Sequence, residues 1–236
     1  MILPEFEGYP RAHINLNNEA SLWRKEHSNH AYAIINPLLD PQICQAMIDN
    51  VHKKYKVLWS IGGWMEDREV ILDKSYLTQE EKFIHLGVDA FVPKGTKVAI
   101  DRKARVVRID HDLDQDGGWG TRLIFEPLGK MKHHIILAHL SRNIRCKVGQ
   151  IIGANEIVGE IGEPEVNGGW LAHLHAQMII REHFNDLIRN KKIMQLDGYC
   201  KPEEKELAKR LFPNPMKYLN FTTLAPENKH WRHEYP

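Results

Sequence analysis

The feature that most restricts the possible folds is a run of short, β-branched segments between residues 84 and 181. Segments such as KVAID, ARVVRID, TRLIFE and HHIILAH are separated by glycine, aspartate, asparagine or proline. Short strands between turn-forming residues are typical of antiparallel sheets. The later stretch KVGQIIGANEIVGEIGE adds four glycines, which suit sharp corners in a small, curled sheet. We therefore predict a mainly β fold with a glycine-rich, antiparallel β core.

Helical patterns flank this β-rich part. Before it, Asp40 and Pro41 suit the N-cap and first position of a helix whose apolar residues recur as far as Tyr55. After it, the stretch PEEKELAKRLF places Leu207 and Leu211 on one helical face. The predicted organisation is an α/β N-terminal extension at 1–75, a β domain at 76–182 and a C-terminal helical extension at 183–236.

The stretch IHLGVD places His85 and Asp89 four residues apart, with Gly87 between them. In an extended strand these two residues would lie roughly 13 Å apart, too far to share an ion bonded at about 2 Å. The glycine and the following VDAFV run oppose a helix. Gly87 allows the backbone to bulge or bend, so we predict that His85 and Asp89 converge.

Two other strand-like stretches also carry histidines. In LAHLHAQMII, strand alternation places His173, His175 and Gln177 on one face and apolar residues on the other. In HHIILAHLS, the same alternation places His139 on the face of Ile135 and Leu137, at the end of its strand.

Together these residues favour one mononuclear zinc site. Two imidazoles and a carboxylate leave a fourth coordination position open, which is the catalytic rather than the structural pattern. Taken singly, each of the 14 histidines is better explained as a surface or hydrogen-bonded residue. The combination of His85 and Asp89 with the pair His173 and His175, in glycine-rich strands, favours the metal.

The order HxGxD, AHLS and HxH resembles the lysostaphin/LytM-type zinc endopeptidases, over roughly residues 84–181. AFVPKGTKVAI and KVGQIIGANEIVGEIG also resemble stretches of that family. The resemblance implies a duplicated hybrid motif fold of the barrel-sandwich-hybrid type. It also implies Zn²⁺ as the cofactor, with ligands His85, Asp89 and His175, and two non-ligating active-site histidines, His139 and His173. Leu137 and Ala138 before His139, and Ala176 and Gln177 after HxH, depart from the family pattern without removing a ligand.

One subgroup of that family is a closer match. NGGWLAHLHAQ, HLGVD and DGYCKPEEKELAKRLFPNPMKYL resemble the module found in large proteins beside a kinase-like and an aminotransferase module. This extends the resemblance to about residue 220. The NGGW stretch itself allows two interpretations, a rim in which Trp170 covers a substrate chain, or a hairpin turn with an anchoring tryptophan.

The function implied by the resemblance is hydrolysis of an amide or peptide bond by metal-activated water. The substrate would be a peptide held in a groove, such as a peptidoglycan stem or cross-bridge. A small cytosolic amide outside peptidoglycan is an alternative substrate. A catalytically idle, metal-holding regulatory module is the alternative class. The extension at 1–75 would limit access to the groove.

Composition excludes other classes of function. Lys and Arg total 32 against 31 for Asp and Glu, so no charge excess favours nucleic acid or an anionic membrane. No apolar run is long enough for a membrane span, and MILPEFEGYPRAH does not resemble a signal peptide. Cys44, Cys146 and Cys200 are an odd number, which predicts reduced thiols. We expect a cytoplasmic protein, with leaderless export or a trimmed secreted form as the alternative. No pattern bears on the oligomeric state.

Overall fold

The computed structural model describes residues 1–27, 40–112 and 118–222. The predicted C-terminal extension is therefore described as far as residue 222, and its remainder lies outside the described residues. The strands are β1 Arg11–His13, β2 Trp59–Gly62, β3 Ile84–His85, β4 Val88–Phe91, β5 Lys97–Ala99, β6 Ala104–Asp112, β7 Gly120–Pro127, β8 His133–Leu140, β9 Ile151–Ile152, β10 Ile157–Glu160, β11 Leu174–Ile180 and β12 Tyr199–Cys200. The α-helices are α1 Leu16–Glu26, α2 Pro41–Tyr55, α3 Glu69–Leu72, α4 Tyr76–Gln79, α5 Pro164–Asn167, α6 Arg181–Arg189 and α7 Lys205–Leu211.

Eight strands form one sheet, in the order β1–β2–β4–β11–β8–β7–β6–β9. The edge pair β1–β2 is parallel and the other neighbouring pairs are antiparallel. Two smaller ladders pair β5 with β10 and β3 with β12. The predicted mainly β fold is confirmed, with one difference. The large sheet is mixed, because β1 from the N-terminal segment adds to its edge in parallel.

The predicted helix after Asp40 is confirmed as α2. The Asp40 carboxylate accepts hydrogen bonds from the backbone N–H groups of Gln42 and Ile43, and Pro41 occupies the first turn. These contacts satisfy donors that a helix start would otherwise leave unpaired. The face of α2 that carries Met47 and Val51 is buried in a hydrophobic cluster of the N-terminal segment.

The N-terminal segment is built into the sheet. β2 pairs antiparallel with β4, so that Gly62 lies opposite Asp89. The division into segments 1–75, 76–182 and 183–236 stays a prediction, but the first of these contributes a strand directly beside β4. In the described ranges no helix is long and apolar enough to cross a membrane. Cys44, Cys146 and Cys200 are free thiols.

The two faces of the large sheet differ in what covers them. Val88, Ala90, Leu174 and Ala176 are buried in the main hydrophobic core, each side chain contributing about 1–3 kcal/mol by its removal from water. Because side chains alternate along a strand, the residues between them point to the opposite face. That second face carries the candidate site.

Strand β8 breaks the regular alternation near its end. Its pairing with β7 runs from Leu137 opposite Leu123 to Leu140 opposite Thr121, which leaves one extra residue in β8. Such a bulge bends the strand and re-aims a side chain. His139 has a φ of 63°, in the left-handed region that non-glycine residues rarely adopt.

The prediction that His139 shares a face with Ile135 and Leu137 is therefore wrong. Ile135 and Leu137 are buried in the main core. The bulge and the left-handed backbone turn the His139 ring toward the opposite face of the sheet, where its centroid lies 5.9 Å from that of His175.

Candidate metal and active site

Asp89 and His175 are neighbours because of strand register. They lie directly opposite each other in the antiparallel pair β4–β11. Directly opposite side chains in such a pair project from the same face of the sheet. The His175 Nδ1 atom accordingly lies 3.1 Å from Asp89 Oδ1, although the two residues are 86 apart in the chain.

His85 reaches the same point from a different ladder. It belongs to β3, which pairs with β12, while Asp89 belongs to β4 in the large sheet. The chain leaves one ladder and enters the other at Leu86 and Gly87. A Cβ atom at Gly87 would lie 2.5 Å from Cε1 of His175. Gly87 therefore marks the break between β3 and β4, as predicted, and it also leaves room for the His175 ring, which the sequence did not predict.

The hydrogen bonds of His85 and His175 fix which ring nitrogen faces the cluster. Nδ1 of His85 lies 2.9 Å from the Gly63 carbonyl, and Nε2 of His175 lies 2.9 Å from Oε1 of Gln177. Gln177 donates from Nε2 to the carbonyl of Asp197, so its Oε1 is left to accept from His175. Each imidazole thus donates outward and directs the lone pair of its other nitrogen inward.

Three lone-pair atoms therefore face one another. His85 Nε2 lies 3.0 Å from His175 Nδ1 and 3.5 Å from Asp89 Oδ1. Facing lone pairs repel unless a cation lies between them. Ligands bonded tetrahedrally to zinc at about 2 Å lie about 3.3 Å apart, so these separations fit such an ion. His85, Asp89 and His175 form a buried cluster able to hold a metal ion.

His139 and His173 lie beside this cluster, with their ring centroids 4.4 Å apart. Nδ1 of His139 donates to the Asn167 carbonyl and Nδ1 of His173 donates to the Leu171 carbonyl, both at 2.8 Å. Nε2 of His173 lies 3.7 Å from Asp89 Oδ1. His173 precedes β11 rather than lying within it, but its ring still reaches the site. The structure thus brings all five predicted site residues together.

Charge and burial set the protonation of these groups. Burial acts to raise the pKa of Asp89, but the positive charge of the Arg68 guanidinium helps to hold it well below its ordinary value. Burial and the Arg68 charge hold the pKa of His85 well below its ordinary value. Burial lowers the pKa of His139 and of His173 as well. The carboxylate is therefore ionised and these three imidazoles are neutral near pH 7.

Arg68 is a buried site residue that the sequence analysis missed. Its Nη2 atom lies 2.7 Å from Asp89 Oδ2, and its Nε atom donates to Glu66 at 3.0 Å. Its Nη1 atom donates to the Tyr199 hydroxyl at 3.1 Å. Arg68 comes from the N-terminal segment and Tyr199 from the C-terminal one, so both flanking segments meet at a predicted ligand.

The site opens into a cavity of about 850 Å³. Both flanking segments line it, with Leu16 from the N-terminal segment and Met194 from the C-terminal one. Trp119 lies against the site, with its ring 5.4 Å from that of His175. A cavity of this size accommodates a compact ligand or a short piece of chain.

Trp170 from the NGGW stretch also lines the cavity. Its indole N–H donates to the Gly118 carbonyl, and its backbone N–H donates to the Asn167 side chain. Gly168, which follows α5, has a φ of 99°. The tryptophan is thus anchored in a tight turn and at the same time forms part of the cavity wall.

Comparisons with known proteins place the chain near one group of solved structures. No family model and no curated protein matches it. A catalytic-domain mutant of the prophage-encoded M23 protein EnpA from Enterococcus faecalis aligns at 23% identity over 41% of this chain and 68% of that one, with a TM-score of 0.36. The catalytic domain of lysostaphin from Staphylococcus simulans aligns at 24% identity over 54% and 80%, with a TM-score of 0.36.

A zinc-containing peptidase from Vibrio cholerae aligns at 22% identity over 42% of this chain and 28% of its own, with a TM-score of 0.35. All three TM-scores are below 0.5. The conclusions about this chain therefore rest on its own residues.

Proposed function

We propose that the chain is a zinc-dependent hydrolase that cleaves an amide or peptide bond. The observation that carries this proposal is the convergence of three lone-pair atoms from His85, Asp89 and His175, each held by outward contacts. Two nitrogens and one oxygen are a donor set typical of catalytic zinc. A zinc ion bound there would polarise a carbonyl and lower the pKa of a water molecule toward about 7.

The protein's own contribution to catalysis comes from His139 and His173. Both rings are buried, neutral and committed at Nδ1 to backbone carbonyls, so each presents an Nε2 lone pair. One such ring accepts a proton from the attacking water as its oxygen bonds to the carbonyl carbon. As the carbon–nitrogen bond breaks, the proton passes to the leaving amine. Before the carbon–nitrogen bond breaks, the ring that has taken this proton can donate a hydrogen bond to the oxyanion, and either His139 or His173 can be that ring.

Peptidoglycan stem or cross-bridge peptides are the first substrates to test, because of the sequence resemblance. A small amide is the second candidate, and one observation favours it. The cavity lining includes Leu16, Lys82 and Met194, which all come from outside the β-rich part of the chain. These walls favour a compact substrate over a long polymer crossing an open groove.

The test combines metal analysis with turnover. We expect the wild-type protein to retain about one zinc per chain and His85→Ala to lose it. His139→Ala and His173→Ala should keep the metal and lose turnover by about 100-fold or more. Incubation with purified muropeptides and with dipeptide amides, read by mass spectrometry, would separate the two substrate classes.

Three outcomes would change the conclusion. Full metal occupancy in His85→Ala would contradict the assignment of the ligands. Metal binding without turnover on either substrate set would support the metal-holding regulatory module instead. Undiminished turnover in both His139→Ala and His173→Ala would contradict the proposed proton transfer.

A further inference from the structure

The two carboxylate oxygens of Asp89 have different partners. Oδ1 faces the imidazole nitrogens, at 3.1 Å from His175 Nδ1 and 3.5 Å from His85 Nε2. Oδ2 faces away from them and lies 2.7 Å from Nη2 of Arg68. One carboxylate oxygen thus faces the candidate metal position, and the other faces a guanidinium.

Arg68 is itself held in one orientation. Its Nε, Nη1 and Nη2 atoms contact the Glu66 carboxylate, the Tyr199 hydroxyl and the Asp89 carboxylate, respectively. Its side chain is 3% exposed. Hydrogen bonds from Nε to Glu66 and from Nη1 to Tyr199 fix the guanidinium plane, and this holds Nη2 at ion-pair distance from Asp89, unlike the mobile point charge of a lysine.

A free carboxylate can bind a metal through one oxygen or through both. Binding through both would require Asp89 to rotate Oδ2 toward the ion and to abandon a buried guanidinium. Arg68 would then keep Glu66 but lose the Asp89 carboxylate, and the loss of one contact of a buried ion-pair group is unfavourable. The Arg68 contact therefore selects binding through Oδ1 alone.

We propose that Arg68 is a positioning residue that holds Asp89 as a single-oxygen metal ligand. This inference rests on the proposed function, because it requires the His85–Asp89–His175 cluster to bind a metal. It assigns a role in that site to the N-terminal segment, which the sequence resemblance does not cover. Arg68 touches a ligand and not the reacting atoms, so its effect on catalysis is indirect.

The structure offers a matched control. Arg122 is also 3% exposed, lines the same cavity and pairs with an aspartate, Asp110, at 2.8 Å. Asp110 is not part of the metal-binding cluster. Replacing Arg122 therefore removes an equally buried guanidinium without touching a predicted ligand.

The experiment compares Arg68→Met, Arg68→Lys and Arg122→Met with the wild-type protein. Zinc affinity is measured by competition with a chelator, and cobalt(II) is added to the metal-free protein to record its visible absorption. Thermal unfolding of the metal-free proteins reports on folding. We expect Arg68→Met to bind zinc about 10–100-fold more weakly, as is usual when a partner of a metal ligand is lost.

The cobalt spectrum distinguishes positioning from general damage. If Asp89 binds through both oxygens in Arg68→Met, the coordination number rises and the visible band weakens. We expect Arg68→Lys to lie between wild type and Arg68→Met, and Arg122→Met to keep the wild-type affinity and spectrum even if its unfolding temperature falls. Arg68→Lys decides the question if Arg68→Met does not fold.

Two results would overturn the inference. One is wild-type affinity and an unchanged cobalt band in folded Arg68→Met or, failing that, in Arg68→Lys. The other is an equal loss of affinity in Arg122→Met. A wild-type protein that binds neither zinc nor cobalt would instead overturn the proposed function on which the inference rests.

Discussion

Two aspartates that pair with buried arginines line the same cavity, and they differ in what the second carboxylate oxygen contacts. Asp89 gives Oδ2 to Arg68 and turns Oδ1 toward two imidazoles. Asp110 gives Oδ1 to Arg108 at 2.6 Å and Oδ2 to Arg122 at 2.8 Å. Both oxygens of Asp110 are thus engaged by cations, whereas Asp89 keeps one oxygen for an ion.

This difference supports the proposal that Asp89 and not Asp110 is a metal ligand, because within the part of the chain that the structure describes only Asp110 of the two has a guanidinium at each oxygen. Both carboxylate oxygens of Asp110 contact guanidinium groups, so Asp110 forms a structural ion pair. Only Oδ2 of Asp89 contacts a guanidinium of the described residues. On the side of Oδ1, the rings of His85 and His175 direct lone pairs toward it, because their N–H groups donate outward.

The largest expected effect follows from neutralising each aspartate in turn. Asp89→Asn removes an anionic ligand, so zinc affinity should fall by more than about 100-fold, beyond the loss caused by an outer partner. Asp110→Asn should leave zinc affinity unchanged but lower the free energy of unfolding by about 3 kcal/mol, because Arg122 is left buried without its partner. Chelator competition and urea unfolding measure the two quantities. Equal loss of zinc affinity in both variants would contradict the proposal that Asp89 is a metal ligand and Asp110 is not.

The next largest effect tests the space that the imidazole of His175 needs. A Cβ at Gly87 would lie 2.5 Å from that ring, so Gly87→Ala should displace it and weaken zinc binding by at least about tenfold. Gly159→Ala is the control, because its Cβ would meet its nearest neighbours at an ordinary 3.6 Å. Zinc affinity of both variants is read by the same competition assay. An unaffected Gly87→Ala would mean that His175 does not need its observed position to bind the metal.

The local patterns of the sequence were sufficient to find the histidines and Asp89. HxGxD and HxH each place two chemically active residues within five positions, so each motif can be recognised without knowing the contacts made by distant parts of the chain. The α2 helix was predictable for the same reason, since its cap and first-turn proline are adjacent in sequence. Short-range signals of this kind need no knowledge of topology.

Arg68 and the orientation of His139 could not be predicted, because both depend on contacts between distant segments. An isolated arginine is ordinarily a surface residue, and only the docking of the N-terminal segment beside β4 buries Arg68 against Asp89. Strand alternation assigned the His139 ring to the wrong face, because a one-residue bulge leaves no mark in the pattern of apolar residues.

A smaller effect is expected from the outer contact of His175. Gln177 accepts from Nε2 of His175 and donates to the Asp197 carbonyl. Gln177→Leu removes the acceptor, so the ring loses its fixed tautomer and zinc affinity should fall by about tenfold. Gln177→Glu keeps an acceptor at that position and should remain closer to wild type. Equal losses in the two variants would show that packing, and not acceptance of the His175 proton, is what matters there.

The smallest effect concerns the acid stability that Asp110 contributes. Burial acts to raise its pKa, but hydrogen bonds from Arg108 and Arg122 outweigh burial and lower the pKa below its ordinary value. A carboxyl whose pKa is lower in the folded state stabilises the protein above its unfolded pKa of about 3.9, and this contribution is lost as the pH falls through the folded pKa.

Below about pH 4, the unfolding free energy of the metal-free wild type should therefore fall more steeply than that of Asp110→Asn. Metal-free protein is used so that the release of a bound metal at low pH does not contribute to the curve. Parallel curves for wild type and Asp110→Asn would mean that the two arginines do not hold Asp110 as a closed ion pair, and the contrast with Asp89 would then lose its physical basis.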